Sequence, residues 1–148
     1  MPASSYNLKA VTLSIGGIPI TGGFGENDAI TLEWVANNYS AKTSADGRRH
    51  YSVINDETLK VTLTLMPTTR AYTLLAGQMQ AQKAAAATGV LLPQAFHLFD
   101  LNNGDTFSGD TTVFMTKPSP SKGLEESEVT LELEVPNARA LFGTLNTL

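Results

Sequence analysis

The chain has 148 residues, with 10 lysines and arginines against 14 aspartates and glutamates, a formal net charge of −4, and no cysteine. That length suits one domain with its own core, and 42% hydrophobic residues exclude disorder throughout. The lack of thiols excludes a disulfide framework and any cysteine-ligated metal centre, and suits assembly in a reducing cytoplasm; the acidic balance argues against a general nucleic-acid binder, which presents a basic face. The opening MPASSYNLKA has no basic stretch leading into an apolar one, so no secretory signal is expected. No apolar run approaches the ~18 residues of a spanning helix, so no membrane partner is expected.

In chain order, Val11, Leu13 and Ile15 alternate with Thr12 and Ser14, the period of a strand with one face on a core. Gly16-Gly17 then reads as a turn, and Ile18-Pro19-Ile20 as an edge strand, where a proline is tolerated. Ile30, Leu32 and Trp34 alternate with Thr31 and Glu33, which puts Trp34 on the core side. A polar stretch follows, SAKTSADGRRHYSV at 40–53, holding Lys42, Asp46, Arg48, Arg49 and His50. It reads as a protruding loop at about 38–52. Leu59, Val61, Leu63 and Leu65 alternate with Lys60, Thr62 and Thr64.

Thr69 can cap a helix running through Tyr72, Leu75, Ala76 and Met79, spaced i, i+3, i+4, i+7. Ala84 to Ala87 extend it and Gly89 ends it, which predicts a helix over about 70–87 packed by a narrow apolar stripe on the sheet. Two more strands are predicted at 95–101 and 106–116, with Asn103-Gly104 as a two-residue hairpin signal between them. A Pro/Ser/Gly loop at 118–123 leads to Val129, Leu131, Leu133 and Val135, alternating with Thr130, Glu132 and Glu134.

The motifs that carry chemistry are incomplete. The stretch SIGGIPITGGFGEN lacks the Lys-Ser/Thr of a phosphate loop, and Glu26, Asn27 and Asp28 follow Gly23-Phe24-Gly25 where a third dinucleotide-fold glycine is needed. DLNNGD at 100–105 has its glycine one residue early for a calcium loop and reads as a hairpin turn. His50 and His97 have no metal-ligand spacing, and no serine sits in a G-x-S-x-G elbow. No catalytic, cofactor or metal site is assigned, and no enzymatic activity is expected. Among the acids Glu125, Glu126, Glu128, Glu132 and Glu134, a glycosidase pair would have to face across a cleft, whereas Glu128, Glu132 and Glu134 share one strand face with Thr130. That face is either simply solvated or a surface that repels polyanions. Thr12, Ser14, Thr31, Glu33, Thr62 and Thr64 make similar cation-poor faces, with Lys60 the single cation.

The run VTLSIGGIPITGGFGENDAITLEW, the loop holding SADG, then RRHYSVINDETLKVTLTLMPTT and the helix resemble a phage tail tube protein of the contractile-tailed kind. The resemblance is best over 8–80 and rests most on Ala45-Asp46-Gly47 and the Thr/Leu strand. It implies a mainly β, antiparallel two-sheet β-sandwich or barrel with one flanking α-helix, as one tail tube domain over 1–148. It also implies hexameric rings of this chain stacked into a hollow tube, with tail sheath, baseplate and tail terminator proteins as partners. Tape measure protein and DNA would lie inside without specific binding. The expected location is the virion, after assembly in the host cytoplasm. Lys42, Asp46, Arg48, Arg49 and His50 would then belong to an inter-ring contact loop, ordered mainly by its partner. Thr62, Thr64, Glu128, Thr130, Glu132 and Glu134 would face the lumen. Lys60 would there need a ring edge or a carboxylate partner. The same fold serves secretion and tailocin tubes, which remain alternatives, as does a β-sandwich binding module.

Overall fold

The computed structural model describes residues 11–20, 30–119, 122–124 and 127–143. Gly23, Phe24 and Gly25, with Glu125 and Glu126, lie outside the described residues. The alternating stretches form β1 (Val11–Ile15), β3 (Ile30–Trp34), β6 (Leu59–Leu65) and β10 (Val129–Val135). Between them lie β2 (Ile18–Ile20), β4 (Tyr39–Thr43), β5 (Arg49–Val53), α1 (Arg70–Ala86), β7 (Phe96–Asp100), β8 (Thr106–Gly109), β9 (Val113–Phe114) and β11 (Arg139–Leu141).

Two antiparallel sheets, ordered β11-β8-β7-β1-β2 and β3-β6-β10-β9, enclose one core. In β6 the residues Leu59, Val61, Leu63 and Leu65 are fully buried. They face Leu13, Ile15, Phe96 and Leu98 of the other sheet within the same cluster. Burial of each such side chain contributes about 1.5–3 kcal/mol, so the period-two pattern rather than strand propensity fixes which face turns inward. Gly16 and Gly17, at φ 64° and 80°, both adopt the left-handed conformation of the tight turn joining β1 to β2.

The predicted strand at 106–116 is two strands in different sheets. β8 pairs with β7 and β11, whereas β9 pairs with β10. The chain crosses between the sheets at 110–112, where the Thr112 carbonyl accepts from Gln82 Nε2 at 2.6 Å. The hairpin at 100–105 is likewise longer than the two-residue turn expected. Asp100 N donates to the Asp105 carbonyl, Gly104 N donates back to the Asp100 carbonyl, and Gly104 takes φ 84°.

Helix α1 begins where expected, with Thr69 Oγ1 accepting from Tyr72 N. Its end carries the paired bonds of a Schellman motif, Val90 N to the Ala85 carbonyl and Gly89 N to the Ala86 carbonyl, with Gly89 at φ 85°. The buried face differs from the expected stripe: Ala71, Leu75 and Gln82 are buried, while Met79 is not. Glutamines do the joining. Gln78 Nε2 donates to the Ile15 carbonyl at 2.6 Å in one sheet. Gln82 Oε1 accepts from Phe114 N at 3.0 Å in the other. The helix is thereby tied to both sheets by amides that a hydrophobic-periodicity reading passes over.

Two glycines test this packing with opposite signs. A Cβ on Gly109 would sit 2.2 Å from Val135 Cγ1, whereas one on Gly77, exposed on α1, meets nothing within 4 Å. Gly109→Ala is therefore expected to lower the unfolding free energy by about 1–3 kcal/mol. Gly77→Ala is expected to raise it by about 0.8–1 kcal/mol. Urea unfolding followed by circular dichroism checks both, and a neutral Gly109→Ala would contradict the close approach of β8 to β10.

Candidate assembly surfaces

The polar stretch at 40–53 is a β-hairpin. β4 and β5 form their own two-stranded sheet, with Tyr39 opposite Val53, Ala41 opposite Tyr51, Lys42 opposite His50 and Thr43 opposite Arg49. Every residue of both strands is exposed. At the tip, Ser44 N donates to the Arg48 carbonyl and Gly47 N to the Ser44 carbonyl, with Gly47 at φ 87°. This is a three-residue hairpin loop closed by a left-handed glycine. The Asp46 carboxylate accepts from the Ser44 hydroxyl and, at 3.1 Å, from Arg48 N. The Ser44 bond first and the Arg48 amide second hold its carboxyl below the usual aspartate value.

Alternation sorts the hairpin into two faces. Lys42, His50, Ser40 and Ser52 lie on one, and with Ala41 and Ser44 line a recess. The other carries Tyr39, Ala41, Tyr51 and Val53, with the Arg49 guanidinium 5.8 Å from the Tyr51 ring centroid and its Nη1 3.0 Å from Thr43 Oγ1. Tyr51 and Val53 are 67% and 68% exposed. An isolated two-stranded ribbon is marginal in water, and an uncovered aromatic face adds a cost that a partner surface would relieve. The sequence reading named the basic residues and missed Tyr39, Tyr51 and Val53. The missed signal is the period-two spacing YSAKT and RHYSV, which basic and small polar residues mask.

A second surface is the outer face of the β3-β6-β10-β9 sheet. Cross-strand register aligns Thr31, Thr62 and Glu132 in one row and Glu33, Lys60 and Glu134 in the next, with Thr64 opposite Thr130. Thr62, Thr64, Thr130, Glu132 and Glu134 thus share one solvent-side face, and Glu128 is exposed one residue ahead of β10. Lys60 Nζ lies 3.9 Å from Glu132 Oε1, so the single cation of the face has a carboxylate partner. Being about 40% exposed at both ends, the pair adds at most ~1 kcal/mol and mainly trims local charge. Thr12 and Ser14, grouped with these residues on sequence grounds, belong to β1 in the other sheet. β1 pairs with β2 and β7 and cannot extend this face.

A groove of about 510 Å³ lies at the root of the hairpin, between Trp34, residues 36–38, Glu57, Arg139 and Ala140 of β11, and Phe142 just beyond it. Trp34 packs against the core and also lines this groove. Outside the hairpin, basic groups also meet where Lys83, near the end of α1, lies close to Lys117; the neighbouring Lys117 amine favours the neutral form of Lys83 and holds it below the usual lysine value. Among the described residues no group of His, Asp and Glu is placed to hold a metal ion, and no helix is long and apolar enough to cross a membrane.

By sequence the chain matches no family profile and no curated protein. Its fold does match solved structures. It superposes on a chain of the anti-feeding prophage (AFP) tube-terminating cap with TM-score 0.63 and 10% identity, covering 96% of this chain and 94% of the other. A chain of the sheath-tube complex of PVC, an extracellular contractile injection system, gives TM-score 0.61 and 9% identity over 93% and 92%. The PVC sheath/tube terminator gives 0.60 and 8% over 94% and 98%. The fold is therefore the mainly β, tail-tube-like fold of contractile injection systems, spanning nearly the whole of each chain.

The hairpin tip has a pH signature. Because the Asp46 carboxyl is held low, the tip bonds are complete above the ordinary aspartate range and are lost as pH falls through the lowered value. Carboxyl-carbon NMR is expected to show Asp46 titrating below the ordinary aspartate range, with the Arg48 amide signal moving in step. Titration of Asp46 within or above the ordinary aspartate range would rule out the tip network.

Proposed function

We propose that this protein is a structural subunit of a tail-like contractile particle, which self-assembles into hexameric rings stacked as a hollow tube and performs no catalytic step. The observation that carries the reading is the amphipathic hairpin, exposed along both strands and both faces. A monomer has no use for Tyr39, Tyr51 and Val53 in water, whereas an assembly covers them. The tail-tube-like fold supports the same reading at the level of architecture.

The polar face of β3, β6 and β10 would line the lumen, with Thr62, Thr64, Glu128, Thr130, Glu132 and Glu134 toward the passing cargo. Three carboxylates, Glu33, Glu132 and Glu134, outnumber the one ammonium of Lys60 on the strands of that wall. Polyanions adhere to protein through lysine and arginine contacts, so DNA would slide past such a wall without being held. The short edge strands β3 and β9, on opposite edges of the sheet, would meet those of ring neighbours. Around the tube we place sheath, baseplate and terminator proteins, and within it tape measure protein and DNA. In this reading the particle is a virion whose tail is assembled in the host cytoplasm. The likeness to AFP and PVC chains favours a second reading in which the same subunit builds the tube or its terminating ring in an injection particle.

Negative-stain electron microscopy of purified protein tests the assembly. Rings or stacked rings are expected, and dispersed monomers at high concentration would overturn it. The lumen assignment has its own test. Tubes of Thr62→Lys/Thr130→Lys/Glu132→Lys are expected to form and to retain added DNA through nuclease treatment, where wild-type tubes retain none. Equal retention would remove these residues from the wall.

A further inference from the structure

We infer that the hairpin divides its work: its root half closes the ring by seating on the groove of the lateral neighbour, and only its tip reaches the next ring. This rests on the ring-and-tube reading and assigns a separate interface to each half of the hairpin. The apolar residues cluster toward the root. Tyr39 and Val53 form its first pair, Ala41 and Tyr51 the third, and the Asn38 carbonyl closes the root by accepting from Ile54 N at 2.9 Å. Arg48 and the Asp46 network occupy the tip, roughly 17 Å away at about 3.4 Å per residue over five-residue strands.

The groove shares residues 36–38 with the hairpin root. Rotation about a ring axis keeps equivalent points at equal height, so a neighbour presents its groove level with the root half, whichever way the axis runs. A copy stacked end to end carries its groove away by the height of a whole subunit. The chemistry matches as well. The groove offers Trp34, Ala140 and Phe142, the last 63% exposed, with Glu57 on its wall. The hairpin face offers Tyr39, Tyr51 and Val53, with Arg49 held over Tyr51 to meet that carboxylate. The contact is heterologous, face to groove, which generates a ring when its rotation closes and never a two-fold dimer.

The chain has no cysteine, so introduced thiols report cleanly. In Lys42→Glu/Arg48→Glu protein, single rings without stacks are expected. In Tyr51→Asp/Val53→Asp protein, rings themselves are expected to be lost while circular dichroism stays that of wild type, since both side chains are exposed. Rings carrying Tyr51→Cys and Ala140→Cys on the same chain should oxidise to a ladder ending at the covalent ring. Tyr51→Cys with Thr64→Cys, on the other sheet, should not. Rings that form but give no Tyr51–Ala140 ladder overturn this inference and leave the tube reading standing. Loss of stacking but not of rings in Tyr51→Asp/Val53→Asp also overturns it. Wild-type protein that forms neither rings nor tubes overturns both.

Discussion

The molecule depends on the burial of one side of β6 between β3 and β10. Leu59, Val61, Leu63 and Leu65 are removed from water, and the pleat then leaves Lys60, Thr62 and Thr64 no choice but the opposite side. A one-residue slip would exchange the two sets and expose the whole apolar row, so the register is strongly held. The position of Glu132 beside Lys60, and of the threonine rows beside them, follows from that one constraint. The polar face is thus a by-product of core formation whose chemistry is free to vary.

The helix shows a different kind of dependence. Ala71 and Leu75 enter the core from it and Tyr72 packs against that core, while side-chain amides reach backbone groups of both sheets. Gln82 is 5% exposed and bonds on both sides of its amide, to the Thr112 carbonyl and the Phe114 amide. Hydrogen bonds of this kind add modest net stability, yet leaving buried groups unpaired is costly, so they fix position more than they add strength. This explains why a chain segment can cross between the sheets at 110–112 without a regular strand pair to guide it.

What could be read from the sequence follows the same division. The strands at 11–15, 30–34, 59–65 and 129–135 coincide with their alternating runs, because period-two burial is local information. The helix start and the Gly89 reversal were equally legible, since caps depend on a few neighbouring residues. The split of 106–116 into β8 and β9 was not. It is set by Gly109 meeting Val135 and by Gln82 meeting residues 30 or more positions away. For the candidate surfaces, the charged residues of the hairpin stood out, and so did the common side of Glu132 and Glu134. The aromatic side of the hairpin did not, because no core residue accompanies it and the tip residues between its strands read as loop. The groove was invisible, since Trp34, Glu57 and Phe142 are brought together only by the fold.

The hairpin is joined to the sandwich at its root and gives no residue to the core cluster. Its side chains can therefore change with little effect on whether the rest of the chain folds, while any change alters which surfaces it fits. Two chains with the same sandwich and different hairpins would fold alike and sort apart. If the chain assembles as proposed, such a segment would be free to act as an identity tag, letting related particles made in one cell keep their subunits separate without altering the scaffold that builds them.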